Sequence, residues 1–239
     1  MWRRCVVFGQ SSTRVYRLHQ SPAMLLNTKE QQEINDLAQR FEAATGAQVV
    51  AAVVGKADDY PDIPWRAFAL GAGLAALGVV LDEFIRPDWA SLHTPIRDVA
   101  AILAVGVLCA MAAAYLPWFA RFFLNRERAA GEVRQYAQGI FLQREMFRTA
   151  ERVGILMLVC RFEHKVYILP DSGISQHLAR GDLDAVMAAM KPHLAQWRPV
   201  EAFRGGFDAL ADLLSRRNIR PPSHGNELQD GAVVAEGSS

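Results

Sequence analysis

Cysteine is scarce in this sequence, and neither sign of charge is in excess. Cys5, Cys109 and Cys160 lie too far apart for a CxxC zinc pair and are too few for a disulfide framework. Lys and Arg number 26 against 25 Asp and Glu, a formal net charge of +1. So balanced a chain lacks the basic field of a nucleic-acid binder, and nucleic acid is set aside as a partner. No GxSxG, Walker A, GxGxxG or HExxH pattern occurs, which removes the motif-level signals for acyl hydrolysis, nucleotide binding and zincin chemistry. Met1–Pro22 has no apolar run longer than Cys5–Phe8, far short of a secretory h-region. With Arg3, Arg4, Arg14 and Arg17 it has some of the character of a transit peptide. Residues 1–23 are expected to be a disordered arm, or else an overlong start ahead of Met24.

What is abundant is apolar. Hydrophobic residues make up 51% of the chain, and most of the excess lies between Pro64 and Ala120. The charge-free run Val99–Ala120 would be about 33 Å long as a helix, enough for a hydrocarbon core of roughly 30 Å. Pro117 comes late in it, where a kink or helix end is tolerable. An earlier charge-free run, Ala67–Leu81, is short by itself, and Trp65, Arg66, Phe84 and Ile85 extend it. Residues 63–122 therefore read as a two-helix transmembrane hairpin in the lipid bilayer, with Trp65, Arg66, Tyr115, Trp118 and Arg121 as interfacial anchors. Small residues at four-residue spacing, Gly71 and Ala75, Ala72 and Ala76, then Gly106, Ala110 and Ala114, suit a close helix pair. Neither run has a central ionisable residue, which argues against transport. The connector Asp82–Asp98 carries Arg86 and Arg97 against Asp82, Glu83, Asp88 and Asp98, while Arg121, Arg126, Arg128 and Arg134 follow the second run. By the positive-inside rule the N- and C-terminal parts face the cytoplasm of a multi-pass inner-membrane protein.

The flanks read as one interrupted α/β domain, 24–62 and 123–216. Thr28 and Gln31 form a Thr-x-x-Gln capping box, Ile34, Leu37, Ala38 and Phe41 one apolar face, and Gly46 a C-terminal stop. Ala47–Val54 then reads as a buried strand. One helix and one strand cannot make a core, so partners must come from beyond the hairpin. There, Arg126–Thr149 reads as a long amphipathic helix, Ile155–Cys160 and Lys165–Leu169 as antiparallel strands, and Pro170-Asp171-Ser172-Gly173 as a turn. A helix from about Leu183, disturbed by Pro192, and one from Pro199 through Leu214 complete the unit. If Ala47–Val54 pairs in parallel with Ile155–Cys160, Arg126–Thr149 is a right-handed crossover with the hairpin inserted into it. Residues 217–239, with Pro221, Pro222, Ser and Gly, are expected to be a disordered tail.

Leu26-Asn27-Thr28, Glu42-x-x-Thr45-Gly46 and Gln48-Val49-Val50 together resemble the opening of the TPM domain, a family related to a thylakoid-lumen acid phosphatase. Gly154-Ile155-Leu156-Met157-Leu158-Val159, Lys165-Val166-Tyr167-Ile168 and Asp171-x-Gly173-Ile174 resemble its second half. Asp58-Asp59-Tyr60-Pro61 before an apolar helix pair is similar to a bacterial membrane subfamily. The resemblance spans roughly Met24–Arg216 and implies a small TPM-like sheet with flanking helices, some of whose relatives bind metal or show weak phosphatase activity. Related domains usually lie outside the cytoplasm, so the charge count and the resemblance disagree on orientation.

No catalytic residue is assigned. Metal-assisted phosphatase chemistry would draw on Asp58, Asp59, Glu163 and Asp171, with a divalent cation as the one cofactor they could serve. Asp58, Asp59 and Glu163 share the carboxyl end of the parallel pair, where ligands tend to bind, and Asp171 should emerge at the opposite edge. Asp62 belongs to the same acidic loop, which also reads as a merely solvated one. His164, His177 and His193 lack ligand spacing, and Cys109 and Cys160 read as small hydrophobes. The expectation is a non-catalytic interaction or accessory module with an unidentified membrane-protein partner; the alternative is a weak, acid phosphatase-like metal-dependent hydrolase.

Overall fold

The computed structural model describes residues 25–85, 93–149, 151–179, 181–219 and 233–235. The proposed arm, residues 86–92 of the hairpin connector and most of the tail lie outside them.

Helix α1, Thr28–Thr45, is capped one residue earlier than the sequence suggests. The Asn27 side chain accepts from the Glu30 amide, and the Glu30 carboxylate accepts from the Asn27 amide, so the box is Asn-x-x-Glu rather than Thr-x-x-Gln. Gly46 closes the helix in the left-handed conformation (φ 77°), as expected of a C-terminal glycine. Strand β1, Gln48–Val54, follows and is buried along its whole length.

Two helices, α2 (Asp62–Ile85) and α3 (His93–Tyr115), form the apolar hairpin. Both are long and apolar enough to cross a membrane, and only 6% and 11% of their most apolar windows is buried within the chain. They are therefore not core helices of the domain. The small residues do face inward: a Cβ on Gly71 would lie 2.6 Å from Cys109 Sγ, and one on Gly106 would lie 2.7 Å from the Phe68 ring. The second apolar run is not one helix, as its reading as a single span had it. It breaks at Leu116 (φ −109°, ψ 100°), because the residue before a proline is pushed out of the helical region, and Pro117 opens a separate short helix, α4 (Pro117–Phe122). The apolar helix accordingly sits earlier, at Pro95–Tyr115.

Helix α5, Arg126–Gln143, is the crossover. It stops short of Thr149: Glu145 turns left-handed, and a 3-10 turn at Met146–Arg148 drops Met146 into the core before β2, Gly154–Cys160. The β1–β2 pair is parallel, in register from Gln48 opposite Gly154 to Val54 opposite Cys160. Strand β3, Lys165–Pro170, pairs antiparallel with β2. A short helix absent from the sequence reading, α6 (Ser172–Ser175), is capped by Asp171. Helix α7, Asp182–Ala195, continues through Pro192, and α8, Pro199–Arg216, starts on its proline. Within the expected disordered tail, Val233–Ala235 forms a strand, β4, parallel to Ala52–Val54, giving the order β3-β2-β1-β4.

Alternation along the strands divides the core into two layers. Val49, Ala51, Val53, Ile155, Met157 and Val159 meet Ile34 and Phe41 of α1, Met190 of α7 and Phe203, Phe207 and Leu210 of α8. Val50, Ala52, Val54, Leu156, Leu158 and Cys160 meet Val133, Tyr136, Ala137 and Ile140 of α5. The result is a helix–sheet–helix sandwich interrupted by an apolar hairpin.

Candidate functional site

The carboxyl ends of β1 and β2 are continued by two more backbone bonds, Arg161 N–H to Val54 O (3.0 Å) and Phe162 N–H to Gly55 O (2.9 Å). The loop after β1 and the β2–β3 turn are thereby held side by side. Glu163, only 7% exposed, is the central group between them. The Ala57 amide and the Tyr60 hydroxyl both donate to its Oε1, at 2.8 and 3.0 Å, while Oε2 is buried with no partner among the described residues. Burial raises the Glu163 pKa, and the Ala57 amide and the Tyr60 hydroxyl partly offset this. Burial and the neighbouring Glu163 charge push the Tyr60 phenol upward, so it remains a donor. Tyr60 sits in the left-handed region (φ 46°), an uncommon conformation for a bulky residue that the surrounding contacts must hold.

Around this carboxylate is a cationic and aromatic clamp. Lys56 donates to the Asp59 carbonyl (2.7 Å) and lies over the rings of Tyr60 and Phe162. Tyr60 and Phe162 stack at 5.8 Å and pack with Ile63 and Ala67 of α2, Ala113 of α3 and Ala120 of α4. Arg128 of α5 bridges Asp62 (2.9 Å) and Asp58 (3.4 Å), and Arg66 pairs with Asp62 at 3.0 Å. The root of the hairpin is thus pinned to the strand ends.

The sequence-derived candidates separate into two places. Asp58 and Glu163 do share the carboxyl end of the sheet; Asp58, 5% exposed, is drawn to Arg128, and Asp59 meets Lys56 through its backbone carbonyl. Asp171 lies at the other end, its amide bonded to Gly154 O and its Oδ1 accepting from Ser172 N–H, with Arg152 at 3.6 Å. Among the described residues no three of His, Cys, Asp and Glu gather in a way that could hold a metal ion. Asp171 is thus set apart from Asp58 and Glu163, and the four residues do not form one cluster. Burial raises the Cys160 thiol pKa well above its ordinary value, which keeps the thiol protonated.

Of the proposed membrane anchors, Trp65, Tyr115 and Trp118 are exposed, and Arg66 is half-turned to Asp62 and the Phe123 carbonyl. Arg121 turns onto the domain, over the Phe162 ring and toward the Arg161 carbonyl (3.5 Å), because the break at Leu116 redirects α4. Sequence reasoning missed Lys56, Tyr60 and Arg128 as the clamp; Tyr60 lay in plain view within Asp-Asp-Tyr-Pro.

Residues 124–213 match the model of the TPM domain. The matched stretch begins directly after α4, yet the sheet to which its strands belong is completed by β1 from before the hairpin. The NMR structure of BA42 protein from the psychrophilic bacteria Bizionia argentinensis sp. nov. is similar in fold, with a TM-score of 0.52 and 12% identity over 90% of this chain and 99% of that one. No curated protein matches the sequence.

Proposed function

We propose that the chain is a two-span integral protein of a bacterial inner membrane that holds its TPM domain at the cytoplasmic face as a non-catalytic interaction or accessory module for a membrane-protein partner. The observation that carries this reading is the use of the strand ends. Open α/β sheets take ligands beyond the carboxyl ends of their parallel strands; here that end seats the root of an exposed apolar hairpin through Glu163, Tyr60 and Arg128. A domain clamped to its membrane segment in this way has a fixed orientation, which suits presentation to a partner in the same bilayer. The cluster Arg121, Arg126, Arg128 and Arg134 after the second helix supports the cytoplasmic orientation.

Reporter fusions within 88–93 and after Arg216, combined with carbonate extraction, test the span and its direction. The expected result is an extraction-resistant protein whose connector reports outside and whose C-terminal part reports inside; the reverse pattern would overturn the orientation. In-membrane crosslinking should then recover one recurrent partner, and repeated failure counts against the interaction role. The alternative phosphatase reading has in its favour the buried, unpartnered Oε2 of Glu163. Titration of Ca²⁺, Mg²⁺ and Mn²⁺ against the melting temperature, with p-nitrophenyl phosphate turnover, separates the two. A metal-independent melt without turnover leaves the interaction module standing.

A further inference from the structure

A pocket of about 150 Å³ opens beside the clamp, where the end of β2, the start of β3 and the last turn of α7 converge. Its walls are apolar: Val159, Val166, Leu194, Ala195 and the Trp197 indole, with Cys160 at the end of β2. The polar residues lining it are Lys191 and His164, and among the described residues no carboxylate lines it. Arg161 lies over the Trp197 ring at 4.7 Å and adds a second cation near it. His164 and Trp197 are both held left-handed, at φ 51° and 47°, an uncommon backbone state that tends to cluster at ligand sites. Desolvation, then Arg121 and Arg161, lowers the His164 pKa and favours the neutral ring.

An apolar chamber with nitrogen donors and no acid in its lining complements a molecule with one apolar group and one anionic head. A cavity of about 150 Å³ accommodates a benzene-sized apolar group or a few methylenes. We propose that this pocket binds a medium-chain fatty-acid anion, its terminal methylenes between Val166, Leu194 and Trp197 and its carboxylate at Lys191. The β2–β3 turn that borders the pocket touches α4 through Arg161, Phe162 and Arg121, so the site stands next to the root of the hairpin. The bilayer as source of the ligand rests on the two-span reading above; the ligand class rests on the pocket alone.

The test is titration of the full chain, in phosphatidylcholine nanodiscs, with 8-bromooctanoate, whose bromine quenches tryptophan on contact. The expected result is a saturable quenching component that disappears in Trp197→Phe and in the pocket-filling Ala195→Phe. Lys191→Glu, on the exposed end of α7, leaves the walls intact and should raise the midpoint about tenfold or more, the worth of one charged hydrogen bond. 8-Bromooctylamine should give no saturable component. Quenching that never saturates, that is unchanged in Ala195→Phe and Lys191→Glu, or that the amine reproduces overturns the proposal. Carbonate extraction reads the membrane claim separately. An extraction-resistant protein without saturable quenching overturns the pocket alone, whereas an extractable protein that quenches saturably upholds the ligand class and overturns the bilayer as its source.

Discussion

Strands β1 and β2 and helices α2 and α3 are built from the same small vocabulary of Ala, Val, Leu and Gly, yet they meet opposite fates. Every residue of β1 and β2 is buried, whereas Leu74, Leu77, Val80, Leu103 and Leu108 on the hairpin stand exposed. In the sheet both faces are covered by helices, and each large side chain removed from water contributes roughly 1.5–3 kcal/mol. In the hairpin burial is confined to the narrow seam of Gly71, Gly106, Phe68 and Cys109 and to the root at Ile63, Ala67 and Ala113. Apolar composition by itself therefore does not say where a segment's free energy lies: the sheet is covered by its own chain, and the hairpin's outer surface is left without an apolar cover from it.

That contrast can be broken at four points. Phe203→Ala removes a fully buried ring from the layer between α8 and the sheet, and should cost about 3–5 kcal/mol in urea unfolding of the domain; a loss below 1 kcal/mol would mean the core is not where the burial puts it. Gly106→Leu forces a side chain into the Phe68 ring. The expected destabilisation of the helix pair is about 1–3 kcal/mol, read as increased thiol labelling of Cys109 with the domain's urea midpoint unchanged.

Glu163→Ala leaves the buried Ala57 amide and Tyr60 hydroxyl without their acceptor and should cost about 1–3 kcal/mol. Glu163→Gln keeps an acceptor and removes the charge, which makes it the sharper test. Because burial raises the folded pKa of Glu163 above its ordinary value of 4.5, the folded state binds more protons than the unfolded one above that pH. Stability contributed by this group is then present at low pH and lost as pH rises through the folded pKa. The Gln variant should lack that decline, giving a flatter stability profile from pH 4.5 upward; an unchanged slope would show that Glu163 is not its source. The smallest effect belongs to Leu74→Ala, 60% exposed on α2, which should move the domain's unfolding by no more than about 0.5 kcal/mol.

Much of the fold was legible because local patterns encode it. The β-branched run at 47–54, too short and too apolar to stand alone, demanded a partner, and the parallel register with Gly154–Cys160 supplies it. The separation of Asp171 from Asp58 and Glu163 followed from strand direction alone. Other features were decided by short-range stereochemistry that periodicity ignores: the cap at Asn27, the break before Pro117, and the early end of α5 that lets Met146 into the core. The edge strand β4 escaped notice because three apolar residues in a polar tail carry no periodic signal.

The sequence by itself determined the element types, the interrupted domain and the parallel pairing at its centre, since alternation and helical spacing fix which face of each segment must leave water. Only the tertiary structure decided that Glu163 would meet Tyr60, that Arg121 would turn from the anchor position onto Phe162, and that Lys191 and Trp197 would frame a pocket with Val166. Those meetings depend on the register and closure of segments distant in the chain, and no local window of residues contains that distance.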